Sequence, residues 1–438
     1  MTSRHAALYS LRLLVVPLVI FVLGAIGFPT SSSAYSVLTH EAIVDAEWDG
    51  LIKTFLLRRF PNATAEQLRE AHAYAYGGSV IQDMGYYFPG GRFFSHLTHY
   101  VRSGDFVEAL FDESKDLNDF AFALGALSHY EADIHGHEIA VNRAVPLLYP
   151  RLRGKFGNRM TWEQNPEAHA LTEFGYDVLE VVARHNAPQA YRDWIGFKVD
   201  KPLLERAFQK TYGLEMTKEI FSVDLALFSY RELAGKFIPE MTEVAWALRS
   251  NELEDLASGM HHQKVYHLSR ASYQAWRRKY SKPGAVDKLT AFLFRLIPKF
   301  GLLNAFDFHA PTQQTEQLFA DSLKATVEGY EAEIKLAQAG RFDPPDVNLD
   351  TGGPTRPGEY IHCDLAYARL LYEMEEEHFT NIDPRLRDNL LSFYENSSAN
   401  YVAKHHRQWR KVLRDLDELK AAQSLANAQP RPALAHSD

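Results

Sequence analysis

The segment SHYEADIHGH, residues 128–137, sets His129, Asp133 and His137 at intervals of four. On an α-helix such positions stack along one face, so three metal-capable side chains can point at a common centre. His135 competes with His137, but a residue two on from Asp133 does not share its face, which favours His137. With 19 His and 56 Asp+Glu in 438 residues, chance yields His-x3-acid-x3-His about 0.1 times per chain. Further metal-capable groups accompany the triplet. His40 ends YSVLTH, Asp83 sits in GGSVIQDMGYY, His99 in SHLTHY with His96 beside it, and His169 and Glu173 in PEAHALTE at i, i+4. Imidazoles and carboxylates without thiolates suit zinc, with manganese or iron as alternatives. Several such ions on one scaffold would serve phosphoryl transfer, by polarising a phosphate oxygen, lowering the pKa of water and neutralising developing charge.

The elements that must position these groups read as helices. EQLREAHAYAYG, DLNDFAFALGALSHYEADIHGHEIAVNRAV and AHALTEFGYDVLEVVARH all carry apolar residues at three-four spacing between good helix formers. So do SVDLALFSYRELAGKFIPEMTEVAWALRS, QQTEQLFADSLKATVEGYEAEIKLAQAG and a long run from Pro384. No alternating β-branched run with hairpin turns stands out, so the expected class is all-α. GYYFPGGR (85–92) and GRFDPPDVNLDTGGPTRPGE (340–359) read as loops. The expected division is a leader over 1–34, a catalytic domain over 35–250, a helical C-terminal region over 251–420 and a disordered tail over 421–438. The apolar run AFLFRLIPKFGLLNAF (291–306) reads as a core helix broken at Pro298 rather than a segment dipping into a lipid interface.

The N-terminal 34 residues have a different character. Arg4 and Arg12 precede LLVVPLVIFVLGAIGF, followed by PTSSSA. A basic region, an apolar stretch and small residues at Ser32 and Ala34 read as an export leader cut after Ala34, giving a secreted or periplasmic protein that starts at Tyr35. The formal charge is −9, and loss of the leader's two arginines makes it more negative. An acidic chain argues against a nucleic-acid partner held mainly by phosphate charge. The one cysteine, Cys363, excludes an intramolecular disulfide, which a core of this size does not need.

In this order along the chain, these motifs resemble the zinc-dependent phospholipase C family. That family includes the catalytic domain of glycosylphosphatidylinositol-specific phospholipase D and, more distantly, fungal single-strand zinc nucleases. The resemblance runs over roughly 35–180. It consists of an N-terminal residue with His five later, an Asp in a Gly-x-x-x-x-Asp turn, Thr-His-aromatic, Ser-His-x3-Asp with a later His, and His-x3-acid. It implies three zinc ions. Asp83, His99, His129 and Asp133 would hold one, and His137, His169 and Glu173 a second. The third would fall to His40, a bridging Asp133 and the free amine and carbonyl of Tyr35. An α-amine can lose its proton and donate to zinc, whereas an amide nitrogen cannot. Tyr at that position departs from the family's usual Trp, and the interval of four from Asp133 to the next ligand is shorter than in the bacterial phospholipases. His96 and His135 remain alternatives to His99 and His137.

The activity so implied is hydrolysis of a phospholipid or other phosphodiester by a metal-activated water, with Asp83 as candidate general base and transient contact with a membrane surface. A single-strand nuclease would use the same metals. It would differ in aromatic platforms, for which Tyr86, Tyr87, Phe88, Phe93, Phe94 and Tyr100 are candidates. A non-catalytic protein with structural zinc would instead close each ion's coordination with protein groups.

Overall fold

The structure is a computed structural model that describes residues 36–88, 90–182, 187, 189–220, 222–239, 241–242, 245–246, 307–380, 382–395 and 406–428. The leader, Tyr35, the apolar run 291–306 and the division expected near 250 lie outside the described residues. The chain is all-α. The described residues hold one pair of two-residue antiparallel strands, Val347–Asn348 and Gly353–Pro354, within the expected 340–359 loop. Among the described residues no helix is long and apolar enough to cross a membrane.

At the centre lies the Leu117–His135 helix. Asp116 caps its start, accepting hydrogen bonds from the amides of Asn118 and Asp119. It crosses the Ala65–Gly78 helix closely. A Cβ on Gly125 would stand 2.1 Å from the carbonyl oxygen of Ala75, and one on Gly78 would stand 2.1 Å from that of Phe122. Only glycine at both places lets the two backbones approach so near.

The Val37–Glu47 helix is buried on every face over residues 37–45 and joins three parts of the core. A helix enclosed in this way can carry polar side chains only where they find partners. Its first amides find theirs on another helix. Asp177, in the Pro166–Val182 helix, accepts from Leu38 N at 2.9 Å, Thr39 N at 3.1 Å and Thr39 Oγ1 at 2.6 Å.

The 26-residue helix Gln313–Gln338 packs across the central helix, with the Tyr330 hydroxyl donating to the Leu124 carbonyl at 2.9 Å. Phe319 stacks on Tyr176, and Tyr360, Cys363 and Leu370 share a core with Val80, Phe94 and Phe122. The described residues on either side of 250 therefore pack into common cores. Two local expectations change. The run expected as one helix through Val145 is α-helical only to His135, continues as a π-helical turn over Gly136–Val141 and resumes as an α-helix at Asn142. The last helix, His406–Ala428, runs into the segment expected to be disordered from 421. Its LDELKAAQSLANA sequence is rich in the good helix formers Ala, Leu, Lys, Glu and Gln.

Candidate metal centre

Four helices and two turns bring together, inside the molecule, eight of the nine residues expected from the sequence, Tyr35 lying outside the described residues. His129 and Asp133 come from the central helix, His137 from the π-helical turn after it, and Asp83 from the 3-10 turn Ile81–Tyr86. His99 comes from the Arg92–Tyr100 helix, His40 from Val37–Glu47, and His169 and Glu173 from Pro166–Val182. All eight side chains are buried. Their ligand atoms form three groups, each with members within 4.8 Å of one another: His40 with His129 and Asp133, Asp83 with His99 and His129, and His137 with His169 and Glu173.

Asp133, a member of the first group, also touches the second. Its Oδ2 lies 3.2 Å from His129 Nε2 and 3.3 Å from His99 Nε2, and its Oδ1 lies 3.6 Å from His40 Nε2. Asp83 Oδ1 is 3.3 Å from His99 Nε2. The imidazoles are fixed from behind. The His99 Nδ1 is 2.7 Å from the Ser95 carbonyl, and His129 Nδ1 is 3.1 Å from the Ser79 carbonyl. A carbonyl can only accept, so each Nδ1 carries a proton and each Nε2 is turned toward the carboxylates. Histidine ligands are oriented in this way in metal sites. The second contact depends on the close crossing of the helices, because Ser79 directly follows the Gly78 end of its helix.

The charge balance makes the same demand. Burial and neighbouring imidazoles hold His40 down to about 3, and burial with His137 holds His169 well below the usual imidazole range. Burial raises the Asp83 carboxyl, despite the nearby imidazoles. Burial followed by repulsion from Asp133 and Asp83 raises Glu173 well above the usual carboxyl range. At Asp133 burial is outweighed by His129, His99 and His137, which hold it well below the usual range. Burial opposes charge on His99, but the carboxylates of Asp133 and Asp83 beside it carry it up to about 10. Acids and imidazoles buried this close together shift one another's protonation, and a divalent cation in place of those protons would satisfy them. Asp83 Oδ2 and the Nε2 atoms of His99, His129 and His137 are buried and make no hydrogen bond of ordinary geometry. Lone pairs left without donors and aimed at one another are what a divalent ion satisfies, so these residues fit zinc.

The competing histidines fall elsewhere. His135 pairs with Glu131 at 3.4 Å at the partly exposed edge of the central helix, whereas His137 is buried with its ring 5.2 Å from that of His169. His96 lies beside His362, ring centroids 4.9 Å apart and tilted, and stands outside the three groups. Of the flanking aromatics, Tyr86, Tyr87, Phe93, Phe94 and Tyr100 are buried in the packing rather than set out as open platforms.

Three buried neighbours of these groups had no sequence signal strong enough to find them. Asn142 Oδ1 meets His169 Nε2 at 2.9 Å, and Asp177 fixes the helix that bears His40. Asp350 Oδ1 lies 3.3 Å from His137 Nε2. Asp177 could have been read as one turn beyond Glu173 on the same face, but Asn142 and Asp350 stand in no periodic relation to the motifs.

Residues 39–222 match the family described as zinc dependent phospholipase C. Neither the comparison with curated proteins nor that with solved structures gave a match.

Proposed function

Because residues 39–222 belong to the zinc-dependent phospholipase C family, we propose that this chain hydrolyses the phosphodiester bond of phospholipids at the buried centre around Asp133. One observation carries the reading: His99 and His129 each have Nδ1 pinned to a backbone carbonyl and Nε2 turned toward the same carboxylate. In this reading Asp83, His99, His129 and Asp133 hold one zinc, and His137, His169 and Glu173 a second. His40, Asp133 and the amine and carbonyl of Tyr35 hold a third. Bound there, zinc supplies Lewis acidity toward a phosphoryl oxygen and lowers the pKa of water.

The chain's own groups do the rest. Burial raises the Asp83 carboxyl, and its Oδ2 makes no hydrogen bond, which suits that atom to take the proton of the attacking water. The Ser79 and Ser95 carbonyls keep the imidazoles in one tautomer through the cycle. Cleavage of the leader after Ala34 exposes the Tyr35 amine, so export and completion of the centre are one event, and the protein works outside the cytoplasm.

The test is direct. The purified mature protein should cleave a choline phospholipid and carry three zincs by elemental analysis, with Tyr35 first on N-terminal sequencing. Asp133→Asn should abolish turnover and lower the zinc content. Wild-type turnover and metal content in that variant would overturn the reading. Cleavage of single-stranded DNA in preference to the lipid would replace it with a nuclease on the same centre.

A further inference from the structure

Asp350 lies well outside the family-matching segment, yet it reaches the centre. It stands in the turn between the strands Val347–Asn348 and Gly353–Pro354, and its side chain is buried. The turn is held in several ways. Leu349 N donates to the His99 carbonyl at 3.1 Å, Asp350 N to Asn348 Oδ1 at 2.9 Å, and Gly352 N to the Asn348 carbonyl at 2.8 Å. Gly352 has φ +69, and a Cβ there would stand 3.3 Å from the Ile134 carbonyl, so glycine allows the turn to lie against the end of the central helix.

This anchoring aims the carboxylate. Its Oδ2 accepts the Tyr100 hydroxyl at 2.9 Å and the Tyr360 hydroxyl. Its Oδ1 is turned toward His137 Nε2, 3.3 Å away, and that nitrogen makes no hydrogen bond. A charge-assisted hydrogen bond from a ring nitrogen to a carboxylate is about 2.7–2.9 Å long. Two ligands each about 2.0–2.2 Å from one tetrahedral ion stand about 3.3–3.5 Å apart. The pair has the second spacing, as do His99 and His129 with Asp133. The backbone of the same residue orders the neighbouring ligand. The Asp350 carbonyl accepts from Asn142 Nδ2 at 2.8 Å, which leaves Asn142 Oδ1 to accept from His169 Nε2 at 2.9 Å. His169 Nδ1 is then the unprotonated nitrogen, and its 2.8 Å contact with Glu173 Oε1 has the hydrogen-bond spacing, the carboxyl donating where an ion would otherwise stand.

We propose that Asp350 is a metal ligand of the second ion, beside His137, and that the 347–360 segment closes that site from outside the family-matching region. The inference rests on the zinc-centre reading, and the experiment separates the two. Zinc affinity by chelator competition and the visible spectrum of the cobalt-substituted protein are compared for the wild-type full chain, Asp350→Asn, Asp350→Glu, Tyr360→Phe and His137→Ala. Asp350→Asn should weaken one ion by at least about tenfold and alter the cobalt bands, which report coordination. Tyr360→Phe should weaken it less and leave the bands in place. Asp350→Glu retains the charge and should shift the bands even if the Asn variant fails to fold. Wild-type affinity and spectrum in both Asp350 variants, with an ion lost in His137→Ala, would overturn the assignment of Asp350 alone. All ions retained in His137→Ala would overturn the zinc centre and this ligand together.

Discussion

His135 and His137 are two residues apart and sit in different worlds. His135 faces Glu131 at the partly exposed edge of the central helix, and His137 is buried beside His169. The i, i+4 argument from Asp133 selects His137, but the local reason is different from a continued α-helix. The backbone widens into a π-helical turn from Gly136, a device frequent at functional sites. It carries His137 to Glu173 and His169, while Asp133 stays with His40, His99 and His129. His137→Ala should therefore remove one zinc and lower turnover by orders of magnitude. His135→Ala, which removes only a partly exposed pair, should change stability by less than about 1 kcal/mol and leave zinc content intact. Elemental analysis of the two variants side by side checks this, and equal zinc loss in both would contradict the geometry.

Between elements, the decisive feature is the crossing of Ala65–Gly78 with Leu117–His135. At Gly125 a methyl group would meet the carbonyl oxygen of Ala75 at 2.1 Å and the amide nitrogen of Ser79 at 2.9 Å. Both are backbone atoms that cannot rotate away. Gly125→Ala should push the helices apart, costing about 1–3 kcal/mol of stability, and draw the Ser79 carbonyl away from His129 Nδ1. Gly154→Ala is the control, since nothing lies within 4 Å of a Cβ there and alanine favours a helix by up to about 1 kcal/mol. Denaturant unfolding of both variants, with zinc affinity measured alongside, tests whether the crossing serves the site as well as the core. How much of this was legible follows from periodicity. His129 with Asp133 and His169 with Glu173 could be read because the helix itself sets them at i, i+4. The all-α class could be read from the same period. Asp350 could not, because a turn held by Asn348 and two tyrosines delivers it, and no local spacing encodes such long-range pairing. Nor could the close approach at Gly78 and Gly125, since a glycine in a helical run does not announce what packs on it.

At the scale of the whole molecule, the centre is a set of charges enclosed by a core, so an ion held there as proposed would compete with its protons. Without metal, and against the pull of burial, His99 is carried up to about 10 by the Asp133 and Asp83 carboxylates beside it. Glu173 is raised well above the carboxyl range by burial and by its acidic neighbours. Both groups hold protons in the folded metal-free chain that the unfolded chain gives up earlier. The stability His99 contributes is therefore present below its unfolded value near 6.5 and is lost as pH rises toward 10, and the metal-free fold weakens across that window. His40, held down to about 3, has the opposite sign but acts only below 6.5. Zinc bound as proposed would replace the protons on these side chains, so a loaded protein would be spared this loss. Each proton displaced is worth about 1.4 kcal/mol per pH unit in the difference between the two forms. Chelation should lower the melting temperature at every pH from 6.5 to 9, and the gap between loaded and chelated protein should widen steadily with pH. In Asp133→Asn the widening should shrink, because one of the two carboxylates that raise His99 has lost its charge. Scanning calorimetry of loaded and chelated samples at three pH values decides the matter. A gap that stays constant or narrows toward pH 9 would mean that protons and metal do not share these side chains.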